Sequence, residues 1–240
     1  MGKLLKFEFA KLIKSKAFYI CIGVCIALIV LMGSMADSIL PGGNSAMFFR
    51  LFTEVSMITT VICIPVSIFV CEDAQCGAEK TVLGRGISRR KFFFAKYISS
   101  LVGYMVFVLV TMLTTYLVGI ILFDHAADSE IVPYIFLTIL GLFMYHGIYF
   151  GVATITGKNG FSIAIAIVAP LVIEVLVLLL DYATDIQDFT FQTFSFSYIL
   201  NQFSGFTEWN KEITWAFVLA LAYPCLMVGV AHEIYVRKEN

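Results

Sequence analysis

The sequence predicts an all-α polytopic membrane protein with six transmembrane helices, and three observations carry that prediction. Hydrophobic residues make up 60% of the 240-residue chain and charged residues 14%, against about 45–50% and about 25% in a soluble domain. The apolar residues fall in blocks of about 20, the length that crosses a hydrocarbon core of ~30 Å. The blocks are continuous rather than alternating, which fits helices with internally bonded backbones and not the two-residue rhythm of a membrane barrel.

The chain opens on LLKFEFAKLIKSKAFY. Leu5, Phe9, Leu12 and Ile13 recur at helical spacing, with Lys3, Lys6 and Lys14 mostly opposite, which predicts an interfacial amphipathic helix over residues 3–16. Its basic stretch is long and no small-x-small cleavage site follows, so a cleavable signal peptide is not expected. The predicted spans are residues 17–35, 47–70, 98–123, 131–155, 161–180 and 213–235, all within one transmembrane domain covering residues 1–240. Pro65, Pro170 and Pro224 fall inside spans two, five and six, where each removes a backbone hydrogen bond and favours a bend.

Orientation follows from the basic residues. Lys3, Lys6, Lys11, Lys14 and Lys16 precede span one. Lys80, Arg85, Arg89, Arg90, Lys91 and Lys96 follow span two, Lys158 follows span four, and Arg237 and Lys238 close the chain. Only Arg50 and Lys211 of the 16 Lys and Arg fall on the other side. Asp37, Asp124, Asp128, Glu130, Asp185, Asp188, Glu208 and Glu212 gather there. Both termini are expected to be cytoplasmic. The net charge of −1 hides this polarity.

Several chemistries find no support. A phosphate-cradling loop needs GxxxxGK[ST] opening a helix. The stretch GKNG at residues 157–160 lacks the earlier glycine and the hydroxyl residue, and GRGISR at residues 84–89 lacks the third glycine of a dinucleotide fingerprint. No nucleotide or other cofactor is expected on this chain. The six cysteines, Cys21, Cys25, Cys63, Cys71, Cys76 and Cys225, have no histidine at zinc-site spacing and read as small apolar fillers. No Ser-His-Asp or HExxH arrangement accompanies the spans, so catalytic and metal residues are not expected. Nucleic-acid binding is not expected either.

Ionisable residues inside spans are candidates for function, because burying them is costly. Glu54 and Glu174 are candidates to line a pathway. Arg50 stands one turn before Glu54, so an interfacial i,i+4 pair is the simpler reading there. Glu174 has no basic residue nearby in sequence, which leaves a structural hydrogen bond and a polar cavity lining both open. His146 reads as a group that hydrogen-bonds between helices. Residues 181–212 are too polar to span and too aromatic for a free loop. Their Phe189, Phe191, Phe194, Phe196, Tyr198, Phe203, Phe206 and Trp209 predict one or two half-inserted segments capping span six, as an aromatic belt or as an outer gate.

The basic island after span two, CGAEKTVLGRGISRRKFFFAK, is the most specific stretch. Glu79, Lys80, Thr81, Leu83, Ile87, Ser88, Arg89 and Lys96 resemble the loop between spans two and three of ABC-2-type transporter permeases, with Gly86 where many relatives carry proline. The span count, the N-terminal interfacial helix and a re-entrant segment before the last span are also similar to that family. The resemblance implies a short coupling helix within the loop, residues 72–96, that docks on a separate ATPase subunit. Glu79, Lys80, Thr81, Leu83, Arg85, Ile87, Ser88 and Arg89 are the coupling candidates. Lys6, Lys14, Arg90 and Lys91 are candidates for gripping anionic headgroups, a contact worth ~1 kcal/mol each.

The resemblance further implies two ATPase subunits that carry ATP and Mg2+, and a second permease, as another copy or a paralogue. It implies a bacterial plasma membrane and an exported amphipathic or antimicrobial peptide. A lipid-like drug exporter and a membrane scaffold or sensor that merely recruits a partner stay as alternatives. An ion-coupled transporter is disfavoured, because neither a proton relay nor repeated halves are present.

Overall fold

The structure is a computed structural model that describes residues 2–35, 48, 56–123, 131–184, 191–204 and 209–237. Among these residues every regular element is helical: α1 (Gly2–Lys14), α2 (Lys16–Ser34), α3 (Ser56–Gln75), α4 (Ala78–Gly84), α5 (Arg89–Phe123), α6 (Ile131–Thr156), α7 (Asn159–Thr184), a 3-10 turn (Phe191–Phe194), α8 (Phe196–Ser204) and α9 (Lys211–Arg237). The described residues include five helices long and apolar enough to cross a membrane, namely α2, α5, α6, α7 and α9. Helix α3 falls on the second predicted span and carries Glu72 and Asp73 in its last turn. The start of that span, with Arg50 and Glu54, lies outside the described residues, as do Phe189, Phe206 and Glu208 of the aromatic region.

Helix α5 begins at Arg89, well before the predicted start of span three. Its 35 residues measure about 52 Å, more than the hydrocarbon core requires. Its first turns therefore carry Arg89 to Lys96 beyond the apolar layer, and the basic island is mostly helix rather than loop. Glycines make the turns around α4: Gly77 before it and Gly86 after it have φ of 71° and 80°, a region that side chains other than glycine rarely occupy.

Helix α6 is the hub, packing against α3, α5, α7, α8 and α9. Its closest partner is α9. A Cβ placed on Gly147 would lie 2.3 Å from Pro224 Cβ and 2.6 Å from Pro224 Cα. One turn on, a Cβ on Gly151 would lie 3.2 Å from the Met227 carbonyl oxygen. Small residues four apart let membrane helices approach this closely. On the α5 side, Ser100 Oγ and His146 Nε2 are 3.1 Å apart, and the Tyr104 hydroxyl donates to the Leu142 carbonyl at 2.6 Å. These bonds tie α5 to α6. Helix α7 instead exposes Leu171, Val172, Val175, Leu176, Leu178 and Leu179, a surface suited to acyl chains or another apolar helix.

Two sequence expectations change. The inward face of α1 carries Leu4 and Glu8, whereas Ile13 is 64% exposed. The helix is turned so that Leu12 rests on Gly103 of α5, where a Cβ would come within 2.7 Å of it. Cys21, Cys25, Cys63 and Cys71 are buried fillers, but Cys76 and Cys225 are exposed, one at the turn after α3 and one on the outward side of α9.

Candidate functional site

The end of the molecule that collects the basic residues is built from α1, the close of α3, α4, the start of α5 and the close of α9. Two features organise it. The first is a buried set of charges. Asp73, 4% exposed, receives Lys11 from α1 on Oδ1 and Lys96 from α5 on Oδ2, the latter at 2.8 Å. Lys11 also reaches Glu72 at 3.6 Å. Glu8 is fully buried beside this group, and among the described residues neither of its carboxylate oxygens has a hydrogen-bond partner.

The face logic of α1 explains the placement. Leu4, Glu8 and Lys11 are spaced four and three residues apart, so they share one side of the helix. Burial, reinforced by Asp73, pushes the Glu8 carboxyl above its ordinary value, against the pull of Lys96 and Lys11. Burial also pushes Asp73 upward, but the charges and hydrogen bonds of Lys96 and Lys11 outweigh it and hold Asp73 low. Three helices distant in sequence are thus joined through one carboxylate.

The second feature is Tyr235. Arg89 Nη1 donates to the Tyr235 carbonyl at 3.2 Å, and the guanidinium lies 5.9 Å from the centre of the Tyr235 ring. Glu79, Lys96, Phe93, Phe150 and Tyr235 line one cavity of about 50 Å³. Glu79 in the first turn of α4 and Arg89 at the start of α5 therefore converge on the end of α9. Leu83 and Ile87 pack on the core, while Lys80, Thr81, Arg85 and Ser88 are exposed. Thr81 and Arg85 border an open groove of about 420 Å³ that runs between α4 and Lys3, Leu4 and Phe7 of α1. Lys6, Lys14, Arg90 and Lys91 are all exposed at this end.

So the coupling candidates divide. Glu79, Leu83, Ile87 and Arg89 turn toward the protein, and Lys80, Thr81, Arg85 and Ser88 turn away from it. Sequence reasoning missed Glu8, Asp73 and Tyr235. A signal for Asp73 was present: two acids directly follow an apolar span on the side rich in lysine. Glu8 and Tyr235 carried none, because their roles depend on helices that the sequence does not place.

The opposite end holds Glu174. It borders a pocket of about 160 Å³ between α7 and the 3-10 turn with α8. The Ser197 hydroxyl lies 3.5 Å from Glu174 Oε2. No group of His, Cys, Asp and Glu suited to a metal ion is found among the described residues.

A family model, that of the ABC-2 family transporter proteins, matches residues 4–173. The match runs from α1 into α7, and so includes α4 with its glycine turns and the Asp73 ion pairs, while the aromatic region, α8 and α9 lie beyond it. No curated protein matches this chain. With a match over most of its length and its five long apolar helices, the chain belongs to the ABC-2 family of transporter proteins and is a multi-pass membrane permease subunit of an ABC transporter.

Proposed function

We propose that this permease exports amphipathic or antimicrobial peptides, driven by ATPase subunits that dock on α4 at the cytoplasmic face. Two ATPase subunits, holding ATP and Mg2+, serve a pair of permeases formed by a second copy or a paralogue. The basic end, with both termini, faces the cytoplasm of a bacterium, as the distribution of lysine and arginine favours. Lys6, Lys14, Arg90 and Lys91 hold anionic headgroups there, and Glu174, with Glu54, lines the route.

One observation supports this reading most: Glu79, in the first turn of α4, and Arg89, at the start of α5, converge on Tyr235 at the foot of α9. Exposed Lys80, Thr81, Arg85 and Ser88 are left to meet the ATPase. A push on α4 would then reach α5 directly and α9 through Tyr235, converting ATPase closure into helix displacement. The peptide substrate is favoured by the apolar face of α7 and the aromatic outer region, which suit amphipathic cargo.

The test is co-purification with the cognate ATPase and measurement of ATP hydrolysis in nanodiscs. Combined Glu79→Ala and Arg89→Ala should preserve assembly but lower permease-stimulated hydrolysis about tenfold, the effect of losing about 1.4 kcal/mol of coupling. Unchanged stimulation would remove α4 as the coupling element. Absence of any stimulation by the wild type would favour a scaffold or sensor. Export of polysaccharide, with no response to peptides, would overturn the cargo.

A further inference from the structure

The polar pocket beside Glu174 has a composition that selects its ligand. Its polar lining is Glu174, Gln192, Ser195, Ser197, Tyr198 and Asn201. Val177 and Leu178 complete it on the α7 side. Among the described residues none that lines it is basic. Glu174 lies about 9 Å along the helix below Leu180, the end of the predicted span, so its carboxylate sits at hydrocarbon depth. There an anion needs a positive partner or strong donors. The contact from Ser197, at 3.5 Å, is at the outer limit of a hydrogen bond. Asp181 is occupied, accepting the Gln192 backbone N–H at 3.2 Å. Glu212 approaches the Tyr198 hydroxyl and adds a second negative charge beside the pocket.

We propose that this pocket binds the primary ammonium group of an amphipathic cargo, a lysine side chain or N-terminal amine, with Glu174 as its counter-ion. The proposal rests on the peptide-export reading above and specifies the cargo's charge. Three features favour this ligand over other cations. The pocket is deep enough in the apolar layer that the cargo must bring its own charge. Its amide and hydroxyl oxygens are acceptors for the three N–H groups of a primary ammonium. A quaternary ammonium would instead require an aromatic cage, and among the described residues Tyr198 is the one aromatic in the lining. The volume of about 160 Å³ accommodates a side-chain terminus rather than a helix. The rest of the peptide would remain on the apolar face of α7 alongside, where Leu171, Val175 and Leu179 are exposed.

The test uses the purified full-length permease in phosphatidylcholine nanodiscs at low salt, without ATPase. Binding of a labelled lysine-bearing amphipathic peptide is compared with that of its lysine-acetylated, N-acetylated form, and decylamine is compared with decyltrimethylammonium. The wild type should prefer each primary amine by about tenfold, equivalent to about 1.4 kcal/mol. Glu174→Gln should abolish both preferences and Glu174→Asp should retain part of them, with elution in size exclusion unchanged. Equal binding of all four probes to the wild type and Glu174→Gln overturns the amine site and leaves peptide export standing. A preference of decylamine over its quaternary analogue that depends on Glu174, with no peptide binding, upholds the site and removes peptides as cargo. A preference that persists in Glu174→Gln overturns the site, as does binding of none of the probes.

Discussion

The two ends of this molecule handle charge in opposite ways. At the basic end Asp73 is almost wholly buried and is met by two lysines from other helices. At the other end Glu174 is half-buried, and among the described residues no lysine or arginine lines its pocket. The first arrangement is complete within one chain and holds α1, α3 and α5 together. The second supplies an anion without its cation. A buried ion pair contributes modestly to stability but is costly to break, whereas a carboxylate open to a pocket can be neutralised with little structural consequence. The contrast separates charges that specify the fold from one available to a ligand.

The largest effect should come from breaking the closed arrangement. Asp73→Ala leaves Lys11 and Lys96 without their shared counter-charge and should destabilise the permease by about 3–5 kcal/mol. Fluorescence-detected size exclusion should then show loss of the folded peak. Next is the contact that supports both ends: Gly147→Val drives side-chain carbon into Pro224 and should cost about 1–3 kcal/mol, measured as a lower melting temperature in detergent.

A smaller and pH-dependent effect belongs to Glu8. Because burial and Asp73 raise this carboxyl above its ordinary 4.5, the native state holds the proton more tightly than the unfolded chain. Its contribution to stability is full below pH 4.5 and is lost as pH rises through the raised value. Asp73, held low, contributes in the other direction, losing its contribution as pH falls below 3.8. Glu8→Gln stays neutral throughout, so its advantage in melting temperature over the wild type should be larger at pH 8 than at pH 5. No difference between the two pH values would mean that Glu8 is not protonated preferentially in the fold. The smallest effect on stability should be that of Glu174→Gln, within about 0.5 kcal/mol. A loss comparable to that of Asp73→Ala would erase the distinction between the two ends.

The all-helical, multi-span character was legible because block length and hydropathy report directly on membrane crossing, although the described residues hold five helices of spanning length against the six expected. The position of the basic island was legible too, since lysine and arginine cannot sink into lipid. What remained hidden were partnerships across helices. Lys11 counted in the sequence only as a charge that sets orientation, and Lys96 as such a charge and the last residue of the loop motif, yet in the fold both pair with Asp73. Arg89 looked like a free docking residue, yet it bonds to the Tyr235 carbonyl. Neither relation has a local signature, because each joins different helices: Lys11 lies 62 residues from Asp73, and Arg89 lies 146 residues from Tyr235. The long reach of α5 was missed for a simpler reason: its first turns carry Arg89, Arg90, Lys91 and Lys96, and hydropathy stops where such charges begin.

The glycine seam between α6 and α9 has a mechanical meaning. Two helices whose backbones touch through Gly147 and Gly151 have little room to slide, so they act as one shaft. Its lower tip is Tyr235. Near its upper tip rides α8, with Leu200 and Phe203 resting against Gly141 and the Tyr223 hydroxyl bonded to the Phe194 carbonyl at 2.9 Å. The Glu174 pocket therefore has one wall on the 3-10 turn and α8, which ride on the shaft, and the other on α7. Any stroke delivered at Tyr235 would be read, a bilayer away, as a change in the gap between those two walls.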